Sequence, residues 1–182
     1  MGNKKKVKLS RFKIKYLKKS ITKIISVILL LKLLSLNAFA NTIYVNVDPN
    51  DNPGRFNKIV KDANERIHIT YRKNQNLNYK YSDDDGSNWS ELIIDNVGNA
   101  AYHNSLDIDN IGTLHMSYVE ISNDNLIYSR LEQGEIYTTA VDNGNVAKKN
   151  TEIISTSNNQ VHILYSILNG GDYKLKYASS ND

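Results

Sequence analysis

The chain has 182 residues and a formal charge of +4, but that charge is unevenly placed. Residues 1–40 hold eleven of the 23 Lys and Arg and no Asp or Glu, which leaves residues 41–182 with twelve basic and nineteen acidic side chains, a net of −7. This excludes a basic phosphate-binding face as the design of the larger part, so nucleic acid is not an expected partner. No cysteine is present, and the 142 residues after position 40 must be held by their own core, without disulfides.

Taken in chain order, residues 1–40 read as an export signal. A cationic region from Lys4 to Lys23 precedes a mainly apolar run, Ile24 to Leu36, and Ala38-Phe39-Ala40 has the small-x-small pattern cut by signal peptidases. The competing reading is an uncleaved membrane anchor. A span needs about 20 apolar residues, whereas this run is shorter and contains Lys32. The expectation is a periplasmic or secreted protein cleaved after Ala40.

Residues 41–182 are dominated by a repeat. Ile67-His68-Ile69-Thr70-Tyr71 recurs as Leu114-His115-Met116-Ser117-Tyr118 and as Val161-His162-Ile163-Leu164-Tyr165, with a step of 47 residues. Asp62 and Asp109, Tyr81 and Tyr128, and Asp48, Asp95 and Asp142 keep the same step. Leu114, Met116 and Tyr118 alternate with His115 and Ser117, the period-two signature of a strand. Short strands joined by polar turns, four to a unit of this length, match a β-propeller blade. The predicted fold is all-β: three blades of four antiparallel strands, at about 56–95, 103–142 and 150–182. A strand at 43–48 aligns with the fourth strands. A propeller usually has more blades, so a homodimer closing a six-bladed ring is one expectation, and a truncated propeller is its rival.

One motif resembles a known family. Ser82-Asp83-Asp84-Asp85-Gly86-Ser87-Asn88-Trp89 matches the Asp-box pattern Ser-x-Asp-x-Gly-x-x-Trp at Ser82, Asp84, Gly86 and Trp89. The repeat as a whole resembles the BNR/Asp-box repeats of sialidase-like β-propellers, although the full box occurs once. The resemblance implies a structural turn. Asp84 would accept turn amides, Gly86 would supply an unusual backbone shape, and Trp89 would pack beneath the hairpin. Sugar stacking on Trp89 is the functional alternative. Calcium at Asp83–Asp85 is disfavoured, because the calcium-loop pattern needs acidic or amide ligands on alternate positions and a distal Glu, and Tyr81 occupies one such position. The resemblance also raises sialidase-like hydrolysis. That chemistry would call for three convergent arginines, and only Arg55, Arg66, Arg72 and Arg130 follow residue 40, without the Arg-Ile-Pro signature.

No catalytic residue, metal ligand or cofactor is therefore assigned. His68, His115 and His162 sit at one repeat position in separate units, which suits a blade-to-blade bond or packing better than a shared zinc. Asp95 and Asp142 suit turns. Tyr102, His103 and Asn104 open a first strand outside the register of the other histidines and are the candidate ligand-binding residues. Eleven tyrosines and many asparagines after position 40 allow stacking and hydroxyl recognition. The expected function is an exported, non-catalytic binding protein, lectin-like, with a glycan or a protein as ligand. A divergent sialidase-like hydrolase and an interaction scaffold are the alternatives.

Overall fold

A computed structural model describes residues 16, 18, 19, 21–28, 44–49, 54–156 and 160–180. It divides into two compact units, Met1–Tyr44 and Val45–Asp182. In the first, residues 21–28 are helical. Among the described residues, no helix is long and apolar enough to cross a membrane. Ala38-Phe39-Ala40 and Ile43 lie outside the described residues.

The second unit is all-β and antiparallel. Strands β1 (Arg55–Lys61), β2 (Ile67–Lys73), β3 (Asn76–Ser82) and β4 (Ser90–Asp95) form one sheet in sequence order. Strands β5 (Tyr102–Ile108), β6 (Leu114–Glu120), β7 (Asn125–Glu132) and β8 (Glu135–Asp142) form a second. Strands β9 (Val146–Ser155), β10 (Val161–Asn169) and β11 (Asp172–Ser179) form a three-stranded third. Each sheet is a meander because its hairpins are tight. Asn74-Gln75, Gln133-Gly134 and Gly170-Gly171 all have positive φ at both residues, as a two-residue turn matching the strand twist requires.

Each sheet has two faces. Met116 and Tyr118 look toward the first sheet, and Ile163 and Tyr165 toward the second, while Leu77 looks toward the second sheet and Leu126 toward the third. Ile69 and Tyr71 on the first sheet and Leu175 on the third hold the matching register positions. Leu77 and Tyr79 of the first sheet pack with Leu106, Met116 and Tyr118 of the second. Leu126 and Val119 of the second pack with Ile153, Ile163 and Tyr165 of the third. The second sheet is therefore covered on both sides, which explains why all seven residues of β6 are buried despite their alternation.

Several sequence expectations change. Residues 44–49 are not a strand, because no neighbouring strand lies beside them among the described residues. The third repeat begins at Val146 rather than 150, since β9 continues through a bulge between its Tyr165 and Ile167 pairings. The structural counterpart of Tyr128 is Tyr79, not Tyr81. Tyr79 lies opposite Thr70 as Tyr128 lies opposite Ser117. The 47-residue step conceals compensating loop lengths: the β2–β3 turn is two residues shorter than β6–β7, and the β3–β4 connection is longer than β7–β8.

The repeat positions are used for polar links within and between sheets. Within a sheet, His68 Nδ1 lies 2.8 Å from the Tyr79 hydroxyl, His115 Nδ1 2.8 Å from that of Tyr128, and His162 Nδ1 2.6 Å from that of Tyr177. The histidines thus bond across neighbouring strands of one sheet, not from blade to blade as expected. A repeated link between sheets comes instead from the aspartates. The Tyr118 hydroxyl donates to Asp95 and the Tyr165 hydroxyl to Asp142, so these carboxylates do more than shape turns.

Candidate functional site

All four Asp-box residues take part in the hydrogen bonds of its turn. Ser82 Oγ donates to Asp84 Oδ1 at 2.8 Å and accepts the Gly86 amide at 2.8 Å. Asp84 also accepts the Asn88 amide at 2.8 Å and the Asn88 side-chain amide at 2.6 Å. These bonds, with Asn88 first and then Ser82, hold the Asp84 carboxyl below its ordinary range. Trp89 Nε1 donates to the Gly86 carbonyl at 2.9 Å, and Gly86 has φ of 87°. Both oxygens of Asp84 are thereby engaged within its own loop. Among the described residues, no group of three or more His, Asp or Glu side chains could hold a metal ion.

Tyr102, His103 and Asn104 separate on inspection. Asn104 is buried between the first two sheets: its Nδ2 donates to the Phe56 carbonyl, and its Oδ1 accepts the Thr70 hydroxyl at 2.8 Å. Both polar ends are used internally, so Asn104 is not a ligand residue in this arrangement. Tyr102 and His103 are half-buried and form an aromatic group with Phe56, at 5.1 Å and 4.6 Å between ring centroids. A bulge places Phe56 at φ 53° and His103 at φ 48°. The two are 47 residues apart, so the same distortion recurs in two first strands.

The residue that sequence reading missed is Arg72. Its guanidinium carbon lies 4.4 Å from the centre of the Tyr102 ring, a cation–π contact, and its Nη2 donates to Asn99 Oδ1 at 2.5 Å. Its Nε is buried without a hydrogen-bond partner. Arg55 stands opposite Arg72 in the β1–β2 register, where like charges repel. Among the described residues neither arginine has a carboxylate within ion-pair distance, whereas Arg66 pairs with Asp83 and Arg130 with Glu132. The arginines therefore split into two engaged pairs and one unneutralised couple, rather than converging as a triad.

Arg55, Arg72, Asn74 and Gln75 line an open, polar cleft of about 370 Å³. The surrounding backbone is unusual: Phe56, Asn74, Gln75, Asn99, Ala101 and His103 all have positive φ without being glycine. Such conformations cost about 1–3 kcal/mol each and tend to gather where geometry serves a function. The turn Asn74-Gln75 fixes two amide side chains at the rim, and the 98–101 connection brings Asn99 to Arg72. No pair of like-sounding residues in the repeat pointed here, because Val119 fills the position of Arg72 one step on. The only available signal was an arginine interrupting an otherwise repeated strand.

No protein-family model and no curated protein matches the chain. Among solved structures it is similar to a fucose lectin from Kordia zhangzhouensis in complex with methyl-fucoside, at 17% identity and a TM-score of 0.47, over 69% of this chain and 98% of that one.

Proposed function

We propose that the protein is an exported, non-catalytic carbohydrate-binding protein whose ligand occupies the cleft of Arg55, Arg72, Asn74 and Gln75. The observation that carries this reading is the Arg72–Tyr102 pair: a guanidinium 4.4 Å from the centre of an aromatic ring, beside Arg55, with neither arginine in an ion pair with a carboxylate among the described residues. Planar guanidinium and amide groups present several donors in fixed geometry, which suits the paired hydroxyls and ring oxygens of a sugar. A shallow, open cleft suits the end of a glycan. Two cations without an ion pair among the described residues support binding and orientation, and no facing carboxyl pair of the kind glycoside hydrolysis uses lines the cleft among those residues.

The finer architecture belongs to the same proposal. We read the three sheets as propeller-type blades of the Asp-box kind, which the repeated Tyr–Asp bond and the common stacking of each sheet on the next support. Glycan-array binding followed by calorimetry tests the function. The expected result is binding of a defined glycan class, weakened at least ~10-fold by Arg72→Ala with the circular dichroism spectrum unchanged. Absence of glycan binding, or binding indifferent to both Arg72→Ala and Arg55→Ala, would overturn it.

A further inference from the structure

Among the described residues two sheet-to-sheet interfaces are packed, and the first and third sheets each leave one face open. In the finished ones, Leu77 and Leu126 are 0% exposed, but their counterpart Leu175 on the third sheet is 70% exposed. On the opposite kind of face, Leu106 and Ile153 are 7% and 4% exposed, while their counterpart Ile59 on the first sheet is 67% exposed. Tyr173 and Tyr177 are also bare beside Leu175. An apolar patch of this make-up is costly in water. The third sheet's open face and the first sheet's open face are the same two surfaces that pack together elsewhere in the chain.

The segment before β1 shows which way they meet. Asp48 accepts the Tyr71 hydroxyl at 2.8 Å, as Asp95 accepts that of Tyr118 at 2.5 Å and Asp142 that of Tyr165 at 2.7 Å. Asp95 and Asp142 end the fourth strands of the sheets that precede Tyr118 and Tyr165. Asp48 therefore stands where the end of a preceding sheet's fourth strand would lie, though among the described residues no strand of its own molecule runs there. It is anchored there: Lys73 Nζ reaches Asp48 at 2.7 Å, and Lys80 Nζ donates to the Val47 carbonyl at 2.9 Å. Meanwhile β11 has no fourth-strand neighbour among the described residues. An open edge of this kind is a template for another strand.

We propose that a second copy of this chain fills both vacant places, with residues Val45–Asp48 of each molecule pairing with β11 of the other. The third sheet of one molecule then lies on the first sheet of its partner, Leu175 and Tyr177 against Ile59 and Ile69, and two copies close the arrangement about a two-fold axis. The finished sheets specify the register. Leu77 pairs with Asp95 and Leu126 with Asp142. One residue on, after an identical bulge, Asn78 pairs with Ile93 and Ile127 with Ala140. Applied to β11, Leu175 faces Asp48, Lys176 faces Asn46 and Tyr177 faces Val45. Charge agrees in sign: β11 carries Lys174 and Lys176 (the latter paired with Asp142) against one acid, Asp172, whereas residues 43–49 contain Asp48 and no basic side chain.

The test uses the full-length gene product as purified from the expressing host, by light scattering after gel filtration. The expected mass is that of two chains. Leu175→Glu, at a side chain exposed in the single molecule, should leave the circular dichroism of the fold intact and weaken the dimer at least ~10-fold, because a carboxylate would have to be buried in the apolar contact. The chain has no cysteine, so the double variant Asn46→Cys, Lys176→Cys should oxidise to a covalent dimer, whereas Asn46→Cys, Tyr173→Cys should not. A folded monomer, an open-ended series of larger species, or equal cross-linking of both cysteine pairs would overturn the proposal.

Discussion

The hydroxyl of Tyr118 donates to Asp95 Oδ2 at 2.5 Å across the boundary between the first and second sheets. It also lies 3.0 Å from Ser129 Oγ, which in turn is 2.7 Å from Thr138 Oγ1. Burial raises the Tyr118 phenol far above its ordinary pKa, and the Asp95 carboxylate raises it further. The phenol stays protonated and stays a donor.

Removing only that donor should show what the boundary bond contributes. Tyr118→Phe leaves the ring in the core beside Leu114 and Met116 but deprives the Asp95 carboxylate of its partner. A hydrogen bond to a charged acceptor contributes about 1.5–3 kcal/mol, so a loss of that size is expected in chemical denaturation. Tyr118→Ala removes the ring as well and should cost about 3–5 kcal/mol. If the Phe variant matched the parent within ~0.5 kcal/mol, the Asp95 bond would have no net role in stability.

Gly98 offers a more local test. Its φ is 66°, and a Cβ there would overlap the Glu120 side chain from Cγ to Oε1. Glu120 cannot easily swing away, because Asn123 donates to one carboxylate oxygen at 2.8 Å and Asn125 to the other at 3.0 Å. Gly98→Ala should therefore destabilise the protein by about 2 kcal/mol or more. Since Asn99 is the partner of Arg72, the same substitution should also weaken glycan binding. The glycan titration reads the second effect at a temperature where the variant is fully folded.

What the sequence disclosed follows from what a repeat can encode. The step of 47 residues located β2, β6 and β10 by their His-x-x-Tyr pattern, because in each sheet the histidine bonds a tyrosine on the next strand and the tyrosine donates to a carboxylate before it in the chain. The step failed at Tyr81, where loop lengths changed in opposite directions and preserved the total. Asp95 and Asp142 were visible as a series, but their role required knowing that Tyr118 and Tyr165, each 23 residues later, fold back beside them. The candidate site was the least legible part. Tyr102 was singled out as an aromatic at a strand start, yet the groups around it, Arg72, Asn74, Gln75 and Asn99, depend on turn geometry and on one arginine that breaks the repeat. Asn104, though adjacent in sequence, points into the boundary between sheets instead.

Processing gives an expectation independent of the folded unit. The charge asymmetry of residues 1–40 and the Ala38-Phe39-Ala40 pattern lead us to expect export with cleavage after Ala40. N-terminal sequencing of protein recovered outside the cytoplasm should begin at Asn41. An intact Met1 terminus retained in the membrane fraction would contradict that reading.

The response to acid should come in two stages, and His68 sets the first. Its ring is buried between Tyr79, 2.8 Å from Nδ1, and Asp62, 3.5 Å from Nε2. Burial is the larger influence and lowers the His68 pKa from its usual value, outweighing the opposite pull of Asp62, with Arg66 lowering it further and Asp83 opposing. A histidine held neutral in the fold binds its proton more readily once unfolded. Its contribution to stability is therefore complete above the unfolded pKa of about 6.5 and is lost as pH falls through the lower folded value. The second stage belongs to carboxylates. Burial pushes the Asp109 carboxyl upward, but the Thr113 amide and His115, with the Ile111 amide, hold it below the ordinary value. Lys176 and then Tyr165 lower that of Asp142. Their contribution persists above the unfolded carboxylate pKa of about 3.9 and is lost as pH falls through the depressed folded values. Thermal melts between pH 7.5 and pH 3 should show a shallow decline beginning near pH 6.5 and a steeper one below about pH 4. His68→Gln should lower the melting temperature at pH 7.5, where the bond to Tyr79 is lost, and flatten the first decline without moving the second. An unchanged decline in that variant would assign it to a group other than His68.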